Sequence, residues 1–212
     1  MKLPSLSYLA DHAGRSFSRF YLAIISAAVA VVTAIYLIEN SERDGYNMLP
    51  GVHLLLSAAL GIPAFFCLSI LAEKKNWNRR QRSIGEAMIV ILLALLYFSF
   101  PDEISTLVRS QYYIRFAMFS AVAHLAVSFI PFFSGSGYNG FWQYNKILFL
   151  RILISGVYSY VLILGIFAAL FALNQLFDID FDGKIYPEIA IVILGLFNTW
   201  FFVSGIPRDF EA

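Results

Sequence analysis

Charge is scarce in this chain: Asp, Glu, Lys and Arg make up 14% of its 212 residues, where a soluble domain carries about 25%. So few ionised side chains cannot cover a water-facing surface of this size, and a soluble globular domain is excluded. Cysteine is all but missing. Cys67 stands alone, so no internal disulfide can form. The charges that exist nearly cancel, to +1, which removes the bulk positive field that a nucleic-acid partner requires. No stretch alternates apolar and polar residues with the period of a strand, so a β-barrel is excluded as well. What the chain has in excess is hydrocarbon: 59% of residues are hydrophobic and 17% aromatic, with a mean hydropathy of +0.72.

That hydrocarbon is gathered into six runs, roughly Phe20–Ile38, Leu54–Ala72, Ile84–Phe100, Ile114–Phe133, Ile147–Phe177 and Ile185–Val203. A bilayer core of about 30 Å takes ~20 helical residues, and five of the six fit that length. The fifth has 31 residues and would span about 46 Å. Phe141, Trp142, Tyr144, Lys146 and Arg151 crowd its start, so residues 141–150 are expected to lie at the interface, with the span beginning after Arg151.

Lysine and arginine fall unevenly between the gaps. Lys2, Arg15, Arg19, Lys74, Lys75, Arg79, Arg80, Arg82, Lys146, Arg151 and Arg208 lie on one side, eleven in all, and only Arg43, Arg109, Arg115 and Lys184 on the other. By the positive-inside rule both ends of the chain are expected in the cytoplasm. The first run lacks a small-residue cleavage pattern and reads as a retained span. Ahead of it, Leu3, Leu6, Leu9, Ala13, Phe17 and Phe20 recur at helical spacing, predicting an amphipathic helix on the cytoplasmic surface.

Small residues mark the faces along which the spans should pack: Ala23, Ala27, Ala30 and Ala34 in the first, Ser57, Gly61 and Ala64 in the second. In the fourth, Ala117, Ser120, Ala121, His124 and Ser128 form the stripe. Pro63 and Pro131 are expected to bend their spans. His124 is the one ionisable side chain at mid-depth. With Ser120, Ser128 and Asn198 it forms the candidate intramembrane polar site, His124 being expected to turn inward and bond to another helix. Glu86 and Arg115 sit within reach of headgroups, and Asn174, Gln175 and Asn198 are expected to bond between helices. No catalytic set can be assembled, and no cofactor is implied.

Two motifs have alternative explanations. Gly135-Ser-Gly137-Tyr-Asn-Gly140 has the spacing of a phosphate-cradling loop, but it follows a span instead of a strand and reads as a glycine-rich turn. Asp178, Asp180 and Asp182 copy the opening of a calcium loop, yet the bidentate acid due at Ile189 is missing. They are weak metal candidates, better read as a solvated acidic cap.

The run from Gly140-Phe-Trp-Gln-Tyr-Asn-Lys to Ser159, the later Phe197-Asn-Thr-Trp through Gly205-Ile-Pro207, the opening Met1-Lys-Leu-Pro-Ser-Leu and the pair Arg19-Phe20 together resemble an uncharacterised bacterial multi-pass membrane family, known as a domain of unknown function. Members of that family are usually much longer. The resemblance implies an amino-terminal portion of a larger inner-membrane protein, partnered by the lipid bilayer and by the remainder of its own chain. It implies no activity.

The expected architecture is all-α: a polytopic bundle of six transmembrane helices. Residues 1–19 form the interfacial segment, 20–205 the membrane domain, and 206–212 a cytoplasmic tail leading into further sequence. For function, a structural or interaction module stands first. A small-molecule or ion permease centred near His124 is the alternative, and a membrane-embedded enzyme the third class. A homo-oligomer is compatible with the sequence.

Overall fold

The computed structural model describes residues 6–101, 106–132 and 138–207. Leu3 of the expected amphipathic helix, and the tail from Arg208, lie outside the described residues. Among those described there is no strand, and six helices are long and apolar enough to cross a membrane. Helix α1 runs Leu6–Glu39, α2 Leu49–Lys74, α3 Arg79–Ser99, α4 Thr106–Phe129 and α5 Tyr138–Phe177. The last, α6, runs Ile185–Ser204. The chain is a membrane-embedded helical bundle.

Local chemistry sets the helix ends. At the end of α2, Asn76 takes the left-handed conformation (φ +50°). Its amide donates to Glu73 O at 3.1 Å and the Trp77 amide to Ala72 O at 2.9 Å, the double closure of a Schellman motif. One residue later Asn78 opens α3 with a capping box: its side chain accepts from the Gln81 amide at 2.9 Å, and Gln81 accepts from the Asn78 amide at 3.0 Å. Four residues therefore reverse the chain with all four of their amides bonded. Helix α1 bends at Phe20 (φ −121°, ψ 29°), between its opening, which carries Asp11, Arg15 and Arg19, and its apolar span. Helix α4 stops at a 3₁₀ turn, Ile130–Phe132, which contains the buried Pro131, whereas α2 continues through Pro63.

Packing is densest where α1 meets α2. Ser26 Oγ donates to Ala58 O at 2.8 Å, and a Cβ added to Gly61 would collide with that hydroxyl. In lipid no hydrophobic drive holds helices together, so approach close enough for this contact depends on the small residues. Gly195 of α6 meets Val31 of α1 in the same way. The tightest cluster lies at one edge of the bundle: Phe20 stacks on Phe66 at 5.1 Å, Phe66 leans on Phe202 at 5.7 Å, and Ile70, Tyr144 and Val203 close around them. Tyr144 Oη donates to Val127 O at 3.0 Å, joining α5 to α4.

Three expectations change. Residues 141–150 are continuous with the fifth span; α5 is one helix of 40 residues, about 60 Å long. No proline interrupts it, and Arg151 finds a protein surface at the Gly205 backbone, against which its guanidinium packs. The small-residue stripe of α4 does not seat against a neighbouring helix: Ala117, Ala121 and His124 are exposed. Asn174 and Gln175 bond within their own segment, Asn174 Nδ2 to Ile179 O at 2.7 Å and Gln175 Nε2 to Asn174 Oδ1 at 3.3 Å. At a helix end the nearest unpaired carbonyl belongs to the following turn, and it captures the carboxamide first.

Candidate functional site

A chamber of about 740 Å³ opens between α2, α4, α5 and α6, and Pro63, Phe66, His124, Ser128, Asn198 and Thr199 are among the residues on its wall. Three of the four residues of the predicted polar site thus share one space. Ser120 does not line it but lies behind His124, its Oγ 3.4 Å from the imidazole Nδ1. The stripe on α4 exists as the sequence suggests. Its small side chains leave room for a cavity instead of admitting a helix.

His124 does not bond across the bundle as expected. Its Nδ1 lies 2.7 Å from Ser120 O, one turn back on its own helix. A carbonyl can only accept, so Nδ1 is the donor in this contact, and Nε2 is the nitrogen left without a bond inside the helix. The same bond denies Ser120 a general base, because the nitrogen it touches is already committed as a donor. A serine–histidine nucleophile is not formed here.

On the opposite wall the chain departs from α-helical geometry. Val192–Phe197 is wound as a π-helix, and the Asn198 amide donates to Ile193 O, five residues back. One extra residue per turn rotates the downstream part of the helix by about 100° relative to an unbroken one. Asn198 and Thr199 come directly after it. Asn198 Oδ1 accepts from the fully buried Ser159 of α5 at 3.3 Å, the inter-helix bond expected of this residue. The chamber therefore offers an imidazole, a carboxamide and hydroxyl groups within apolar walls, with no carboxylate, lysine or arginine among its lining residues. Such a set can orient an uncharged polar group.

The chain, compared with known proteins, matches no family model, no curated protein and no solved structure at a significant level. Its site must be read from its own geometry.

The acidic loop is spread out. Asp178, Asp180 and Asp182 are all exposed, and Asp182 Oδ1 accepts from the Lys184 amide at 2.9 Å, capping the approach to α6. Among the described residues no three acidic, histidine or cysteine side chains converge as metal ligands. Of the glycine run 135–140, residues 135–137 lie outside the described residues, and 138–140 open α5.

Sequence reasoning missed the arginine at the bundle's edge. Arg19 is buried, and its Nε and Nη2 donate to both Glu73 carboxylate oxygens at 2.7–3.0 Å. Nη1 and Nη2 also donate to the carbonyls of Ile206 at 2.6 Å and Pro207 at 3.0 Å. One fork thus ties the bend of α1 to the end of α2 and to the segment after α6. Arg82 joins from α3, reaching Arg19 O at 3.3 Å and Glu86 at 3.0 Å, so Glu86 is ion-paired instead of facing headgroups alone. No local spacing marks it, because its partners Glu73 and Pro207 lie 54 and 188 positions away. A further groove of about 440 Å³ between α1, α2 and α3 is almost wholly apolar, with the unpartnered Ser57 hydroxyl in its wall.

Proposed function

We propose that the chain is a membrane-embedded interaction module, the amino-terminal helical domain of a longer protein of the bacterial family it resembles. The observation that carries this reading is the uneven burial of the spans. Of the most apolar stretch of α2 56% is buried within the bundle, against 11% of α5's, and α3 buries only Gly85. The more deeply buried pair α1 and α2, at 44% and 56%, thus leaves the other four spans with flanks free to meet lipid and further helices. Both ends lie in the cytoplasm and the membrane is the bacterial inner membrane; the eleven-to-four division of lysine and arginine supports that orientation. The natural occupant of the outward flanks is the remainder of the same polypeptide.

Photocrosslinking along α5 tests the module. With a crosslinker at the exposed Leu153, Val161 and Leu164 in turn, adducts to a defined protein segment should appear at helical period. Lipid adducts alone at every position would remove the proposal.

The chamber favours a second reading, a permease for a small neutral solute. In that case Asn198→Ala should abolish a flux in reconstituted vesicles while the bundle stays folded.

A further inference from the structure

We propose that the turn between α2 and α3 is a binding site for the phosphate of an anionic phospholipid. Five basic residues lie within nine positions here, from Lys74 to Arg82. Two are occupied: Lys74 lies over the Phe132 ring at 4.7 Å, and Arg82 holds Glu86. Lys75, Arg79 and Arg80 are exposed, and their side chains have no ion-pair or hydrogen-bond partner among the described residues. The nearby carboxylates cannot serve them, because Glu73 is gripped by Arg19 and Glu86 by Arg82. Three positive charges are left over at a point where the chain emerges from the membrane.

The turn fixes the backbone that carries those charges. The Schellman closure at Asn76 and the capping box at Asn78 fix the backbone on both sides, and Trp77 packs against Gly85, where an added Cβ would stand 3.0 Å from its ring. Beside them a polar recess of about 380 Å³ lies between Glu73, Asn76, Trp77 and Arg82. The positive end of the α3 dipole points into the same region.

Depth decides what fills it. Both flanking helices are apolar enough to cross the membrane, so their connecting turn lies at headgroup level, where a half-buried tryptophan is at home. From the cations an exposed apolar strip descends along α3 through Ile84, Met88 and Ile91, one face of the helix. A phospholipid matches both parts, its phosphate among the cations and its chains along the strip. A zwitterionic headgroup brings its own ammonium and cancels much of the attraction. An anionic one keeps all of it.

Quenching of Trp77 by brominated lipids measures this preference. The chain carrying Trp142→Phe and Trp200→Phe, which leaves Trp77 as its one tryptophan, is reconstituted in phosphatidylcholine with either brominated phosphatidylcholine or brominated phosphatidylglycerol. The anionic lipid should quench at mole fractions at least tenfold lower, since each basic residue near an anionic surface contributes on the order of fivefold. Lys75→Gln, Arg79→Gln and Arg80→Gln together should bring the preference near unity. Raising the salt should weaken it in the unaltered turn, a check that needs no variant to fold. Equal quenching by the two lipids, or a preference untouched by both the substitutions and salt, overturns the proposal. So does displacement of the brominated lipid by millimolar glycerol phosphate, which would make this a site for a soluble phosphate.

Discussion

Gly61 is glycine because the space its side chain would fill belongs to a hydroxyl. Ser26 Oγ stands there, bonded to Ala58 O, and Leu93 closes the far side with its Cδ1 3.1 Å from an added Cβ. Gly61→Ala should destabilise the bundle by about 1–3 kcal/mol, the usual cost of overpacking. Ser26→Ala alone should cost only about 0.6 kcal/mol, a typical inter-helix bond in lipid. Combined, they should cost less than Gly61→Ala by itself, because removing the oxygen makes room for the methyl. Unfolding by SDS titration would measure the cycle, and strictly additive costs would show that the two side chains do not compete for one space. Arg19 presents the opposite case, a large group with many partners. Replacing it by alanine leaves Glu73 and two carbonyls without their donor. Because the Glu73 side chain is a third exposed, the loss should be about 3 kcal/mol, at the low end for a broken buried pair. Arg19→Lys should lose about half as much, since an ammonium keeps the charge but cannot fork between carboxylate and carbonyls. The same titration decides, and an Arg19→Ala protein as stable as its parent would show the fork to be superfluous.

At the scale of the element, the six spans were legible because length and hydropathy alone decide whether a helix can cross a bilayer. The α1–α2 contact was legible too, since Ala23, Ala27, Ser57 and Gly61 announce close approach. The α4 stripe was legible as a stripe but not as a wall: small residues permit packing and also permit a cavity, and residue type cannot separate the two. Arg19 was counted as a cation at the membrane edge because its partner, Glu73, lies 54 positions away. The π segment left no trace, for Val192 to Phe197 is as apolar as any α-helical turn of this chain. Its consequence can be tested. Deleting the exposed Leu194 should restore α-helical winding and turn the upstream and downstream halves of α6 by about 100° relative to each other. Cysteines placed at Ser159 and Asn198 in a Cys67→Ser background should crosslink through a short bifunctional reagent in the parent chain. The deletion should prevent it. An undiminished crosslink would mean that the bulge does not orient Asn198.

Taken whole, the molecule has two edges with different chemistry. At one, Arg19 binds the Ile206 and Pro207 carbonyls, so the start of the first span and the end of the last lie together. At the other, Lys184 reaches Glu42 at 3.5 Å, joining the end of α1 to the start of α6. An even number of crossings requires this arrangement. It makes the topology testable without reference to function. Lys75 lies in the turn at the first edge, and Asp180 precedes α6 at the second; both are exposed, with α3, α4 and α5 between them. Three crossings place them on opposite sides, and the lysine and arginine bias puts Lys75 inside. In a Cys67→Ser chain, an impermeant maleimide added to intact cells should label Asp180→Cys and spare Lys75→Cys. Inverted vesicles should reverse the pattern. A reversed result in both preparations would keep six spans and turn the molecule over. Labelling of both positions from one side would mean that one of the three helices between them does not cross. The first to suspect would be α4, whose apolar stretch Tyr113–Phe132 is the shortest of the three and carries Arg115 near its start.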